Sequence, residues 1–182
     1  MKRKIDEIKT LYHGTDIYHE QIDLRRSNSF KDFGRGYYMT SYRRQAMDWA
    51  AVKNRRHKVG ESWVFEYELA PVPDGMNVKE LLRYNREWLD FIAKRRISGE
   101  ETPFDIVYDR MADNRFDALS QAVRDYHFGR IDAQRALRII RFDRRNRDQY
   151  CFKTQRAIAL LKRTRTYRYE NGIWREWKEE PL

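Results

Sequence analysis

The chain has few of the residues that lock a fold covalently or break regular structure. Among 182 residues there are one cysteine, four prolines and eight glycines. A single Cys151 excludes an intrachain disulfide and a cysteine-based zinc cage. Apolar runs are also short: none reaches the length of about 18 residues that a membrane-spanning helix needs. The first residues carry positive charge, as in a signal peptide, but no apolar stretch follows them. We therefore expect a cytoplasmic protein.

Positive charge is abundant. Lysine and arginine outnumber aspartate and glutamate by 38 to 28, which gives a net charge of +10. This imbalance favours anionic partners: nucleic acid, a phosphate-bearing cofactor, an acidic inhibitor protein or a membrane surface. Simple solubility is the alternative explanation.

The order of predicted elements indicates an α+β fold. Strands and helices mix without the regular alternation of a parallel α/β sheet. We predict strands over 10–13, 62–69, 104–111 and 149–153, and helices over 42–57, 87–96, 117–126, 132–140 and 155–163. The prediction is one domain over residues 1–163, followed by a basic and aromatic tail over 164–182.

The first candidate site feature is Tyr12-His13-Gly14-Thr15 at the end of a strand. A histidine there can donate or accept a hydrogen bond, and a glycine leaves the backbone open to a flat ligand. An ordinary turn is the alternative for this short motif.

A second feature is the pair Gly34 and Gly36 just before a run of strand-forming residues. Such glycines let backbone N–H groups approach a phosphate, although a glycine-rich hairpin turn is equally compatible with them. The segment is neither a Rossmann fingerprint nor a Walker A loop. One helix later, Trp49 offers a ring that could stack on a heterocycle, or could simply belong to the core.

Together with a final strand, these motifs resemble the H-Y-[E/D/Q] group of ADP-ribosyltransferases, and the bacterial DUF3990 family most closely. The resemblance runs from about residue 11 to about residue 163. It consists of Leu11-Tyr12-His13-Gly14, Asp32-Phe33-Gly34-Arg35-Gly36-Tyr37-Tyr38-Met39-Thr40, Gln45-Ala46-Met47-Asp48-Trp49-Ala50, a segment from Phe104 to Asn114, and Gln149-Tyr150-Cys151-Phe152-Lys153-Thr154.

The resemblance implies an ADP-ribosyltransferase-like fold, in which two small antiparallel sheets with flanking helices surround an NAD cleft. His13 would bind the adenosine ribose of NAD, Gly14 the nicotinamide amide, and Tyr38 would stack on the nicotinamide ring. Trp49 would close the other face of that ring. Thr15 and Gly36 would also lie against the NAD. Catalytic roles would fall to His13, Tyr38 and Gln149, and no metal is expected.

Gln149 occupies a position where many relatives have glutamate. A glutamine can accept a hydrogen bond from the ribose 2′-OH, but it has no net charge and cannot act as a base. An acceptor that is nucleophilic without deprotonation, or one activated by another residue, is therefore expected. The adjacent Asp148 would point to the opposite face of the strand, so we do not expect it to substitute.

The resemblance implies transfer of ADP-ribose from NAD to a macromolecule in a bacterial toxin or phage-defence setting. Arginine and lysine cluster near tyrosines, as single-stranded nucleic acid binding requires, which favours RNA or DNA as the acceptor. The clusters lie at 42–44, 53–58, 94–96, 141–147 and 162–165. An acidic antitoxin would fit the same charge. A protein acceptor, and a module that binds NAD or nucleic acid without turnover, are the alternatives. His19, His57 and His127 lack metal-site spacing, so we expect them on the surface or in packing contacts.

Overall fold

The computed structural model describes residues 3–110, 116–140 and 147–178. In chain order, its strands and α-helices are β1 (Thr10–Thr15), β2 (Tyr37–Met39), α1 (Arg43–His57), β3 (Trp63–Leu69), β4 (Val78–Leu81), α2 (Arg86–Ser98), β5 (Ile106–Arg110), α3 (Phe116–His127), α4 (Ala133–Ile139), β6 (Asp148–Phe152), α5 (Gln155–Ile158), β7 (Leu161–Glu170) and β8 (Ile173–Trp177). The mixture confirms the predicted α+β class. Within this part of the chain, no helix is long and apolar enough to cross a membrane.

The first sheet is antiparallel throughout, in the order β1-β3-β7-β8. Its central strand β3 shows the alternation expected from the sequence: Phe65 and Tyr67 face one side, and Val64 faces the other. Helix α1 covers the Val64 side through Ala46 and Ala50, because these small side chains allow a close approach of helix and sheet.

The second sheet has the order β2-β6-β5-β4, and its β4–β5 pair is parallel. The expectation of two purely antiparallel sheets is therefore wrong for this sheet. A parallel pair needs a crossover connection, and α2 provides it between β4 and β5. Aromatic and aliphatic residues of both sheets form one core between them, while α2, α3 and α4 cover the outer face of the second sheet.

The C-terminal region differs from the prediction. The helix expected over 155–163 ends at Ile158, and residues 164–177, expected as a tail, belong to β7 and β8. Antiparallel pairing between β3 and β7 explains the difference, since it joins Trp63 to Arg168 and Leu69 to Leu161. In β7 lysine and arginine interrupt the apolar alternation. A strand with one solvent-exposed face is therefore hard to recognise from the sequence here.

Asp105, in the loop between α2 and β5, is 2% exposed and connects this loop to the segment after β6. Its carboxylate accepts hydrogen bonds from Thr154 Oγ1 at 2.7 Å, from Asn77 N at 2.8 Å and from Arg156 Nε at 2.7 Å. The Arg156 hydrogen bond is the main reason that the pKa of Asp105 is lowered to about 2. A lowered pKa means that the folded state favours the ionised carboxylate.

We expect the isosteric substitution Asp105→Asn to reduce the free energy of unfolding by about 2 kcal/mol at neutral pH, since hydrogen bonds to a charged group are lost. The folded-state pKa lies below the unfolded value, so this stability is present above pH 4 and disappears as the pH falls from about 4 to about 2. Denaturant unfolding of wild type and variant across this range measures the effect. The exposed Asp74→Asn is the control, and a wild-type to Asp105→Asn difference that does not depend on pH would contradict the assignment.

Candidate functional site

The two sheets meet where β1 passes β2. The backbone N–H of Tyr12 donates to the carbonyl of Thr40 at 2.8 Å, and the N–H of Thr40 donates to the carbonyl of Tyr12 at 2.9 Å. Backbone groups of successive strand residues point to alternate sides. The N–H and C=O of Gly14, two residues after Tyr12, are therefore directed away from β3, to the side on which the second sheet lies.

Gly14 has a structural reason to be glycine. A Cβ atom at this position would lie 1.9 Å from the carbonyl oxygen of Ala46 in α1. Helix backbone, and not open space for a ligand, therefore occupies the side of Gly14 on which a side chain would stand. A ligand could therefore reach Gly14 only through its backbone N–H and C=O groups at the edge of β1.

His13 has a defined tautomer. Its Nδ1 lies 2.6 Å from the carbonyl oxygen of Tyr38, and a carbonyl can only accept, so Nδ1 carries the hydrogen. Burial, reinforced by the positive charge of Lys53, lowers the pKa of His13 well below 6.5. The ring is therefore neutral at pH 7, and Nε2 is an acceptor. No described residue forms a hydrogen bond with Nε2.

Aromatic neighbours hold the His13 ring in place. It stacks on Tyr37 with the ring centroids 4.1 Å apart, and the Tyr37 hydroxyl lies 3.0 Å from Nε2 of His19. His19 also packs against Phe65 at 4.4 Å, as expected of a packing residue. Tyr37 was not predicted as a site residue, because an adjacent tyrosine carried the family motif.

Two lysines near His13 were not predicted individually either. Lys31 and Lys53 are both half-buried, and burial is the main cause of the lowered pKa of each. The charge of Lys31 lowers the pKa of Lys53 further, and both charges lower that of His13. Neither ammonium group has a carboxylate within ion-pair distance in the described part of the chain. Asp32 acts on Lys31 and Asp16 acts on Lys53 only through Coulombic attraction at longer range. Two neighbouring cations without a directly paired carboxylate favour the binding of an anion.

Tyr38 lies beside this pair. Its hydroxyl donates to the carbonyl of Gly34 at 2.7 Å and accepts from the N–H of Phe33 at 3.1 Å. Burial raises its pKa well above 10, so the phenol stays protonated. Lys31 Nζ lies over the ring, 5.0 Å from its centroid, and occupies a face on which the nicotinamide was expected to stack.

The glycine pair does not present free backbone donors. The N–H of Gly34 donates to the carbonyl of Lys31 at 3.0 Å, and the N–H of Gly36 donates to Ser27 Oγ at 3.1 Å. The expected role of these N–H groups in phosphate binding is not supported. Gly36 has a packing reason instead, because a Cβ atom there would lie 2.3 Å from Cys151 Sγ.

Thr15 and Trp49, the other expected NAD contacts, differ in their placement. Thr15 is buried, and its hydroxyl accepts a hydrogen bond from Lys53 Nζ at 3.4 Å, so it adjoins the lysine pair. Trp49 is 39% exposed, and the guanidinium of Arg56 lies 5.7 Å from its ring. Among the described residues, the structure gives no ring contact between Trp49 and His13 or Tyr38.

Gln149 lies on β6, on the same face as Cys151, whose strand partner is Tyr38. Its Nε2 donates to Asp32 Oδ2 at 3.1 Å. Asp148 faces the other way, as expected, and accepts from Thr40 Oγ1 at 2.8 Å and from Ser41 N at 2.9 Å. The carboxylate that accepts a hydrogen bond from the Gln149 side chain is that of Asp32.

Helix α1 is anchored to the start of β6 by Gln45. Its Nε2 donates to the carbonyl of Asp148 at 2.8 Å, and its Oε1 accepts from the N–H of Asp148 at 3.4 Å. The Gln45-Ala46 motif thus has two structural roles: Gln45 binds the backbone of β6, and the backbone of Ala46 packs against Gly14. These contacts bring β1, α1 and β6 to one place.

The basic clusters divide into surface and site residues. Arg44 is exposed and pairs with Asp48, and Arg165 is exposed with Glu66 3.8 Å away. Lys53 and Arg96, expected on the surface, are instead half-buried at the site. Residues 111–114 of the resemblance and 141–146 of the basic clusters lie outside the described residues. In the described ranges, no group of three or more potential metal-ligating side chains occurs.

An open depression lies between α2 and α3. Asp90, Lys94, Tyr126 and His127 line it, and its volume is about 270 Å³. Asp90 already accepts a hydrogen bond from the Tyr126 hydroxyl at 2.5 Å. Among the described residues that line it, Lys94 is the single lysine or arginine, so the depression has no cation pair and is the weaker candidate.

Comparison with known proteins identifies the family and no individual relative. A family model described as "Protein of unknown function (DUF3990)" matches residues 9–163. Since this range is most of the chain, the chain belongs to the DUF3990 family. No curated protein and no solved structure matches it.

Proposed function

We propose that this member of the DUF3990 family is an ADP-ribosyltransferase that uses NAD as its substrate. The observation that carries the proposal is His13, a neutral ring with Nε2 open as an acceptor, beside two lysines that form no direct ion pair with a described carboxylate. A ribose hydroxyl needs such an acceptor, and a diphosphate needs such cations.

The parts of NAD correspond to different groups of the site. Lys31 and Lys53 would neutralise the diphosphate, and Nε2 of His13 would accept from a ribose hydroxyl. The N–H and C=O of Gly14, directed away from β3, match the acceptor and donor of a carboxamide. Gln149 would accept from the ribose next to the nicotinamide. Lys31 would leave the Tyr38 ring to reach the phosphates, which would free that face for nicotinamide.

The reaction breaks the bond between the nicotinamide nitrogen and C1′ of its ribose, and the electron pair of that bond leaves with nicotinamide. A lone pair of the acceptor forms the new bond to C1′, and the acceptor loses a proton to water. The favoured acceptor is a nucleic acid, because the net charge is +10 and exposed arginines lie on α1 and β7. A toxin or phage-defence role, with an acidic inhibitor protein, is consistent with this chemistry.

Incubation with NAD labelled in its adenylate phosphate tests the proposal. RNA, DNA and a protein extract are offered separately, and nicotinamide release is measured beside transfer of label. We expect label on nucleic acid, with a yield that decreases steeply as salt increases. Label on protein alone would support the protein acceptor. Neither release nor transfer with any acceptor would contradict the enzyme, and NAD binding without release would favour a non-catalytic module.

A further inference from the structure

A carboxylate stands next to Gln149, although the strand itself offers none on that face. Asp32 Oδ2 accepts from Gln149 Nε2 at 3.1 Å, and Asp32 Oδ1 is bound by Nε of Arg96. The side chains of Asp32 and Arg96 are 21% and 14% exposed, so the pair is largely sheltered from water. Arg96 is itself held by Ser120 Oγ at 3.1 Å.

The Asp32 carboxylate fixes which way the Gln149 amide points. A carboxylate has only acceptors, so the amide must turn its NH₂ group, and not its oxygen, toward Asp32. Oε1 of Gln149 is then directed away from Asp32, and no described residue forms a hydrogen bond with it. The amide oxygen is thereby presented as a free acceptor in a defined orientation.

We propose that Asp32 and Gln149 act as a pair that divides the two tasks of a single glutamate, which are to accept a hydrogen bond and to supply negative charge. This inference rests on the proposed function. Gln149 accepts the hydrogen bond of the ribose 2′-OH, and Asp32 is a positioning residue that orients the amide. As the bond between C1′ and nicotinamide breaks, positive charge develops on C1′ and the ring oxygen. The Asp32 carboxylate, held in its ion pair with Arg96, polarises the amide, so that the amide oxygen carries more negative charge toward C1′ and stabilises this positive charge.

The pair also explains why residue 149 is glutamine in this chain. A glutamate there would bring a second carboxylate to hydrogen-bond distance from Asp32, and like charges so close destabilise each other. Asp109 increases the constraint, since it is the strand partner of Gln149 and is 1% exposed. Burial, together with the charge of Asp32, raises the pKa of Asp109 well above 3.8. Arg96 already balances the charge of Asp32, so a second carboxylate at residue 149 would compete for the same cation.

Exchange of the two side-chain types tests this division of tasks. The variants are Asp32→Asn, Gln149→Glu and the double variant Asp32→Asn/Gln149→Glu, with Asp48→Asn as control because Asp48 is an exposed carboxylate paired with Arg44. Steady-state nicotinamide release gives kcat and KM, calorimetry gives the affinity for NAD, and thermal unfolding shows that each variant is folded.

We expect Asp32→Asn to lower kcat about 100-fold, the size found when one preorganised stabilising group is lost, with KM changed less than about threefold. Gln149→Glu alone should also lower kcat, because Asp32 repels the new carboxylate. The double variant moves the charge from residue 32 to residue 149 and should recover kcat to within about tenfold of wild type. Asp48→Asn should match wild type.

Two results would overturn the pairing. One is a wild-type kcat in folded Asp32→Asn, and the other is a double variant no faster than the slower single variant. A merely structural role for Asp32 predicts the second result, since a glutamate at residue 149 cannot repair a packing defect. If wild type neither binds nor cleaves NAD, the proposed function itself is wrong, and the calorimetry on wild type separates that outcome from a failed pairing.

Discussion

The variant His13→Ala is expected to release nicotinamide at least about 100-fold more slowly than wild type, with a lower kcat and a higher KM. The ring supplies the acceptor that orients the substrate, and a misplacement of about 1 Å is enough for an effect of this size. Its removal also leaves the carbonyl of Tyr38 without its donor at 2.6 Å. His127→Ala, at an exposed histidine, is the matched control.

The pH profile of wild type distinguishes an acceptor from a general base or a charged donor. Burial lowers the pKa of His13 well below 6.5, so Nε2 stays unprotonated above that pH. The rate should therefore be independent of His13 ionisation at neutral and alkaline pH, and should fall only when the pH drops well below 6.5. An activity that depends on a protonated group with a pKa above 6.5, and that disappears in His13→Ala, would contradict this role.

The second large effect is expected for the double variant Lys31→Met/Lys53→Met, which keeps the apolar stems and removes both charges. Hydrogen bonds to charged groups contribute about 1.5–3 kcal/mol each, so the affinity for NAD should fall about 100-fold or more. The affinity should also depend less on salt than in wild type. Titration calorimetry at two salt concentrations measures both changes.

The same substitution should stabilise the protein when NAD is absent. Burial lowers the pKa of both lysines, so the folded state disfavours their charged forms at neutral pH. We expect the melting temperature to rise by about 2–4 °C, which corresponds to about 1 kcal/mol for a chain of this length. Lys94→Met, at an exposed lysine, should change neither property. A variant that loses stability and keeps its affinity for NAD would show that the lysines are structural.

Periodicity in the sequence predicted those elements whose apolar residues face one core. The strand expected over 62–69 is β3, in which buried Phe65, Tyr67 and Leu69 alternate with the less buried Glu66 and Glu68. The helix expected over 42–57 is α1, whose buried residues Ala46 and Ala50 are one helical turn apart. Strand β4 was not predicted, since only one of its four residues is buried. Strand β7 was not predicted, because lysine and arginine on its solvent-exposed face interrupt the apolar alternation.

The candidate site was predictable where a motif marks the backbone, and not where the fold brings distant side chains together. His13 and Tyr38 were predicted from the resemblance, and the structure joins them by a hydrogen bond. Lys31 and Lys53 are 22 positions apart in the sequence and have no periodic relation, so their proximity depends on the tertiary fold. The Asp32–Gln149 contact joins residues 117 positions apart, and only the packing of a loop against β6 reveals it.

Strand β7 continues the first sheet beyond the region that matches the family model. The family match ends at residue 163, yet β7 continues to Glu170 and β8 to Trp177. A polypeptide cut at residue 163 would expose the backbone groups of β3 from Trp63 to Glu66 along an open sheet edge. Such an edge recruits other chains and favours aggregation. The boundary of sequence similarity therefore lies inside a strand of the first sheet, and residues 164–177 complete that sheet.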